Sequence, residues 1–501
     1  MSGEHHHIAI VGAGFSGIAM ARYLKKSGRE DFTIYEKGND VGGTWRDNTY
    51  PGIACDVPSN LYSFSFALNP EWSRSYSGGW EINNYIRSTA KKLGILKHVR
   101  FNTPVTSADW DDNEKLWRCT TERGAFTADF LIGAMGPLSE PQIPALPGIE
   151  SFKGAAFHSQ QWDHGYDFAG KRVAVIGTGA SAIQFVPQIQ PEVAELQLYQ
   201  RTPPWILPRS ERSLTKFEHK LFRWFPPAQK LVRASVYAFL EFRVIGFVKQ
   251  RWLMRGAQLG ARANIRRHIK DPALRAKVTP DFDFGCKRVL MANNYYPALA
   301  QENVEVITEG VAEVREGPVV ASDGTEREVD AIIWGTGFHV TDNPEWQNLR
   351  GRDGRTLTET WAETGMRSYL GTLVPNFPNA FLIIGPNTGL GHSSMVYMIE
   401  SNVEYILSVL DHVERSGAAD VEVAERAVDE FEADIERRSK GTVWTSGGSD
   451  SWYLDSSGPN TTLWPDFTFR FRQLCRGFEP AQVKLAFKRA PALPGVDRTS
   501  S

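Results

Sequence analysis

A chain of 501 residues is too long for one ordinary hydrophobic core, so two or three domains with a cleft between them are expected. With 42% hydrophobic residues, 12% aromatic residues and a formal net charge of −2, it reads as a globular protein with no bias toward nucleic acid. Its four cysteines, Cys55, Cys119, Cys286 and Cys475, show neither a CxxC nor a metal-ligand spacing, which argues against a dithiol reductase or a zinc enzyme and for a reducing compartment. The N-terminus, MSGEHHHIAIVGAG, carries no charged leader, signal core or cleavage site, and a cytoplasmic enzyme is expected.

The first predicted strand, His7 to Val11, ends in GAGFSG, Gly12 to Gly17, which opens a helical pattern through Ile18, Ala21, Tyr23 and Leu24. A second strand, Phe32 to Tyr35, stops at Glu36. Strand, glycine turn, helix, strand and acid form a dinucleotide-binding unit. Gly12 permits the tight turn, Gly14 lets a pyrophosphate approach the helix N-terminus beside Phe15, Gly17 allows close packing, and Glu36 suits a ribose. Asp129 to Gly136, DFLIGAMG, is an apolar strand that closes on small residues, as needed where a chain passes close to a cofactor.

The next stretch, FKGAAFHSQQWDH from Phe152 to His164, fits neither a two-residue strand period nor a helical stripe. After it, Arg172 to Ile176 leads into GTGASA, a second turn formed by Gly177, Thr178, Gly179, Ala180, Ser181 and Ala182, and a further strand runs from Leu196 to Tyr199. This strand ends in Gln200-Arg201-Thr202 instead of an acid, and a guanidinium there favours a 2′-phosphate, hence NADPH over NADH. Two unlike turns predict two dinucleotides, FAD at the first and NADPH at the second.

Residues 212 to 270 read as helices rich in Lys, Arg and aromatics, with Glu218 and Glu241 as the only acids. A helical lid over the active site is the preferred reading, and attachment of amphipathic helices to a membrane surface is the other. No apolar run is long enough to span a bilayer. Asp330 to Gly337, DAIIWGTG, repeats the apolar strand closing on small residues.

Together these segments resemble the flavin-dependent monooxygenases with two dinucleotide domains, and within them the type I Baeyer-Villiger monooxygenases. Their fingerprint, Phe-x-Gly-xxx-His-xxx-Trp followed by Pro or Asp, is met by Phe152, Gly154, His158, Trp162 and Asp163, between the two glycine turns. The N- and S-oxygenating flavin monooxygenases share the early motifs and usually lack the Trp-Asp ending. The resemblance implies an α/β fold with two Rossmann-like domains: FAD-binding from 1–147 and 341–501, NADPH-binding from 152–209 and 281–340, and a helical insertion at 210–280. Phe152 to His164 would then be a hinge between domains, with His158 bonded to backbone and not an acid-base catalyst.

The implied reaction inserts one atom of O2 beside a carbonyl, through a C4a-peroxyflavin, turning an apolar ketone into an ester or lactone. Gly43, Thr44, Trp45 and Tyr62 resemble the residues along the flavin. Asp56 matches the aspartate near the isoalloxazine ring, and Arg288 the active-site arginine, with Lys287 and Arg201 sharing the NADPH 2′-phosphate and Thr202 among the cofactor-binding residues. Trp452, followed by Gly458-Pro459-Asn460, resembles the region that folds over nicotinamide and substrate. The turn Gly385 to Ser394, which includes Asn387, would direct a helix N-terminus at the flavin. It departs from the equivalent turn in the best-known cyclic-ketone enzymes, which leaves the substrate range open. An N- or S-oxygenating monooxygenase and a peroxide-releasing flavin reductase or oxidase are the alternatives. The ketone and the oligomeric state are not read from sequence.

Overall fold

The computed structural model describes residues 4–446 and 460–488. Two sheets organise the chain. In the first, the order is Leu349–Arg350, Val105–Asp111, Leu116–Thr121, Gly124–Gly133, Glu4–Val11, Phe32–Tyr35 and Val99–Arg100, with Ala380–Leu382 also pairing with Gly124–Gly133. Its central strands run parallel, with Ile10 opposite both Ile34 and Ile132. They are buried on both faces, which is why they read as continuous apolar runs and not as alternating ones. The helices Phe15–Lys26 and Met395–Ser416 pack together in the same core, so residues far apart in sequence build one unit.

The second sheet is entirely parallel, in the order Val304–Ile307, Glu195–Tyr199, Arg172–Ile176, Ala331–Trp334, Ala155–His158. The stretch expected to be a hinge thus contributes structure of its own: Ala155–His158 is an edge strand, in register with Ala331–Trp334. Periodicity missed it because four residues are too few to show a period. Gly154 is required there, since a Cβ would stand 2.5 Å from the Asp330 carbonyl oxygen. Trp162 packs among Phe157, Phe168 and Phe185. His158 is fully buried, its Nδ1 accepts the Gln160 amide at 3.1 Å, and burial pushes its pKa down to about 4. It is therefore held neutral, in keeping with a backbone-bonded role.

The insertion straddles both units. Its helices Lys216–Trp224 and Pro226–Val244 bury Phe222 and Leu240 in the core of the first, while Met254–His268 buries Ala261 and Ile265 in the core of the second. Thr215 caps the first of these helices in a reciprocal capping box with Glu218. No helix among the described residues is long and apolar enough to cross a membrane.

Candidate functional site

A cavity of about 1250 Å³ is lined by residues of both units, and both glycine turns open into it. The first turn is set by contact with the neighbouring strand end. Gly12 has φ +107°, and a Cβ on it would sit 2.7 Å from the Ala134 carbonyl oxygen, while a Cβ on Gly17 would meet the Gly12 carbonyl oxygen at 2.0 Å. Gly14 is different: it faces Gly43 across a narrow gap, so here glycine keeps space open and does not merely avoid a clash. No side chain caps the helix that begins at Phe15, and Gly14, Phe15 and Ser16 line the cavity. First-turn N–H groups without a side-chain partner suit an anionic pyrophosphate. Glu36 accepts from the amides of Ala13 at 2.8 Å and Gly38 at 2.7 Å and pairs with Arg46 at 2.7 Å. A carboxylate offers about four acceptor positions, so roughly one is left for a ribose hydroxyl.

The second turn repeats the construction. Gly177 has φ +101°, and its Cβ would lie 2.5 Å from the Gly335 carbonyl oxygen. This explains the two strands that close on small residues: Ala134 and Gly335 are where the glycine turns cross. A Cβ at Gly179 would meet only the Gly335 oxygen, at 3.9 Å, so that side of the turn stays open for a ligand. Ala180, Ser181, Arg201 and Thr202 line the same wall. Arg201 is exposed, and Lys287 enters the lining with its ammonium 5.1 Å from the Phe282 ring centroid.

Asp56 and Arg288, 232 positions apart, meet in a two-bonded fork, Nε to Oδ2 at 2.7 Å and Nη2 to Oδ1 at 2.8 Å. The remaining Nη1 reaches toward the Leu390 carbonyl at 3.4 Å. Both side chains line the cavity. Burial alone pushes the Asp56 carboxyl up, and the charge and hydrogen bonds of Arg288 outweigh it, leaving the pKa below the usual range. The fork holds the guanidinium in one orientation, with a permanent charge toward the cavity. Beside it, the Trp45 indole donates to the Tyr62 hydroxyl at 3.0 Å.

Two further devices were not read from sequence. Gln184, on the helix after the second turn, donates to the Ala54 carbonyl at 2.9 Å and accepts from the Tyr50 hydroxyl at 3.0 Å, clasping the segment that carries Asp56. In addition, Ile384 has φ +66°, a strained conformation for a β-branched residue, at the turn that follows Ala380–Leu382. Its amide is held by Asn402, which also donates to the Leu370 carbonyl and the Thr372 hydroxyl. Only three-dimensional partners reveal either role. Ser394 caps the helix Met395–Ser416, whose beginning lines the cavity through Ser393, Met395 and Ile399.

The cavity therefore gathers Gly12, Gly14, Phe15, Glu36, Gly43, Thr44, Trp45, Asp56, Tyr62, Gly177, Gly179, Ala180, Ser181, Arg201, Thr202, Lys287 and Arg288. Gly17 stands behind it as a packing residue. Asn387 also lies outside the lining: with φ +58°, it donates to the Asn460 carbonyl at 2.7 Å and so braces the turn from behind. Trp452, like Gly458 and Pro459, lies outside the described residues. The lining passes from Pro204 to Lys287 without any insertion residue, which departs from the expected lid.

The flavin-binding monooxygenase-like family model matches residues 5–344. A Baeyer-Villiger monooxygenase of Streptomyces coelicolor is 48% identical over 494 residues, 98% of this chain and 95% of that one. Cyclohexanone monooxygenase from Rhodococcus sp. Phi1 bound to NADP+ superposes with a TM-score of 0.86 at 27% identity, covering 97% of this chain and 100% of that one. The structure of OTEMO in complex with FAD and NADP has a TM-score of 0.86 at 28% identity, with the same coverage.

Proposed function

The chain belongs to the flavin-binding monooxygenase-like family, and from that membership we propose how its residues carry out the reaction of an FAD- and NADPH-dependent Baeyer-Villiger monooxygenase. The reaction consumes a ketone, O2, NADPH and a proton and yields an ester or lactone, NADP+ and water. When bound, the flavin, reduced by the nicotinamide, supplies the activation of O2. The observation that carries the reading is the Asp56–Arg288 fork in a cavity shared by both glycine turns.

In this reading FAD lies along the first turn, its pyrophosphate at the N-terminus of Phe15–Lys26 and its ribose at Glu36. Gly43, Thr44, Trp45 and Tyr62 flank the rest of the molecule. NADPH lies along the second turn, with Arg201 and Lys287 at the 2′-phosphate and Thr202 beside them. The first sheet with its two helices serves as the FAD domain, assembled from 1–147 and 341–501. The second sheet, from 152–209 and 281–340, serves as the NADPH domain.

With the flavin bound, Arg288 would stabilise negative charge that develops on oxygen in the cavity. At about 4 Å and an effective dielectric near 20, a unit charge pair contributes roughly 4 kcal/mol. Asp56 keeps the guanidinium from swinging away and offsets its charge while the site is idle. Oxidation of a soft sulfur or nitrogen atom needs no such cation, so the fork favours attack on a carbonyl over the N- or S-oxygenating alternative. The four cysteines are buried and widely spaced in the sequence, and a reducing, cytoplasmic setting is part of this reading.

The test is stoichiometry with product identification over linear, cyclic and aryl ketones. One ester or lactone per NADPH is the expected result. NADPH oxidation that yields only peroxide would replace this reading with a reductase or oxidase, and turnover confined to thioethers or amines would replace it with the N- or S-oxygenating one.

A further inference from the structure

The helix Pro226–Val244 leaves a broad apolar face outward. Taking about 100° of rotation per residue, Gln229, Arg233, Val236, Tyr237 and Leu240 share its inner face. The polar members of that face are anchored: Gln229 donates to the Asn69 carbonyl at 2.6 Å, and Arg233 to the carbonyls of Asn60 and Leu61, each at 2.9 Å. Opposite them, Leu231, Ala234, Ser235, Ala238, Phe239 and Phe242 fall within roughly 140° and carry no charge. The preceding helix, Lys216–Trp224, likewise turns Phe217 and Trp224 outward on one face. The exposure of these large apolar side chains runs from 62% for Phe239 to 84% for Trp224. Exposed apolar faces of this kind mark an interaction surface.

The charges around it identify the partner. Lys216 and Lys220 lie beside the outer face of the first helix, and Lys230 and Arg243 flank that of the second, with the Arg243 guanidinium 5.0 Å from the Phe239 ring centroid. Lys216, Lys220 and Lys230 make no ion pair among the described residues. Both acids of the segment are engaged elsewhere, Glu218 with Arg212 and Glu241 with the amide and hydroxyl of Thr468. A basic rim around an aromatic face is complementary to anionic headgroups over an acyl interior. A second copy of the chain is a poorer occupant, since a two-fold contact would set this cationic rim against itself. None of these residues lines the cavity, so the surface has no part in the site described above.

We propose that the outward faces of Lys216–Trp224 and Pro226–Val244 form a docking surface for an anionic lipid bilayer, on which the enzyme lies peripherally with its aromatic side chains in the interface. The test is co-sedimentation of the full-length holoenzyme with vesicles of phosphatidylcholine, with and without one-third phosphatidylglycerol. Binding to the anionic vesicles is expected, falling at least about tenfold for each aromatic removed in Phe239→Ser/Phe242→Ser. The triple variant Lys216→Ser/Lys220→Ser/Lys230→Ser should lose about a hundredfold, roughly fivefold per lysine. Both variants should oxidise NADPH at the wild-type rate without vesicles, which shows that the fold is intact. Wild-type protein that stays in the supernatant with anionic vesicles would overturn the proposal, as would a Phe239→Ser/Phe242→Ser variant that binds as well as wild type. A wild-type dimer in sedimentation velocity that these two substitutions convert to monomer would also overturn it, and assign the face to a second copy.

Discussion

Arg288→Ala removes the fixed positive charge and leaves Asp56 without the partner that offsets its burial. A loss of about 4 kcal/mol of charge stabilisation corresponds to roughly a thousandfold slower oxygen insertion. The carboxyl of Asp56 should also shift upward, since its burial remains and its counter-charge does not. Arg288→Lys keeps the charge and loses the two-bonded fork, so a smaller loss, about ten- to a hundredfold, is expected. Two measurements separate the steps: the anaerobic rate at which NADPH bleaches bound flavin, and the ester formed per NADPH consumed in air. The first should stay within a fewfold of wild type in Arg288→Ala, while the second collapses and NADPH oxidation becomes uncoupled. An Arg288→Ala enzyme with a full flavin complement and ester formation within tenfold of wild type would refute the role assigned to this residue.

Four other substitutions and one titration probe the frame around it. Gly12→Ala forces a Cβ against the Ala134 carbonyl at positive φ and should give little folded protein. Gly14→Ala, at φ −81° with only ordinary contact to Gly43, should fold with a wild-type melting temperature yet retain less FAD after gel filtration. Arg201→Ala should raise KM for NADPH by about ten- to a hundredfold, the value of one charged hydrogen bond, and leave KM for NADH nearly unchanged in steady-state assays. His158 has a folded-state pKa of about 4 against an ordinary 6.5, so the unfolded chain takes up a proton that the folded one refuses. Its contribution is present above pH 6.5 and is lost as the pH falls toward 4, by about 3 kcal/mol in total. Denaturant melts between pH 7 and 4 should show that slope, and His158→Gln should flatten it.

The glycine turns, the strands before them and the acid-versus-arginine contrast at Glu36 and Arg201 were legible in the sequence because each is local. A tight turn, a close approach to a phosphate and a buried parallel strand impose residue types within a few positions of one another. The edge strand Ala155–His158 was not legible, since its evidence is a register with Ala331–Trp334 and not a pattern of its own. The same holds for Gln184, Asn402 and the strained Ile384, which declare themselves only through partners more than fifteen residues away. Asp56 and Arg288 were singled out by resemblance alone, and folding brings them within 2.7 Å.

The insertion shows the boundary most clearly. Its composition of aromatics and bases is written in the sequence, and from that composition a lid is the preferred reading over a membrane-facing surface. Tertiary structure decides between faces: Gln229, Arg233 and Glu241 find partners in Asn69, Leu61 and Thr468, and the face with Leu231, Phe239 and Phe242 is left outward. Hydrogen bonds to buried partners are local in space but remote in sequence, so helical periodicity marks two faces without telling which of them meets the protein.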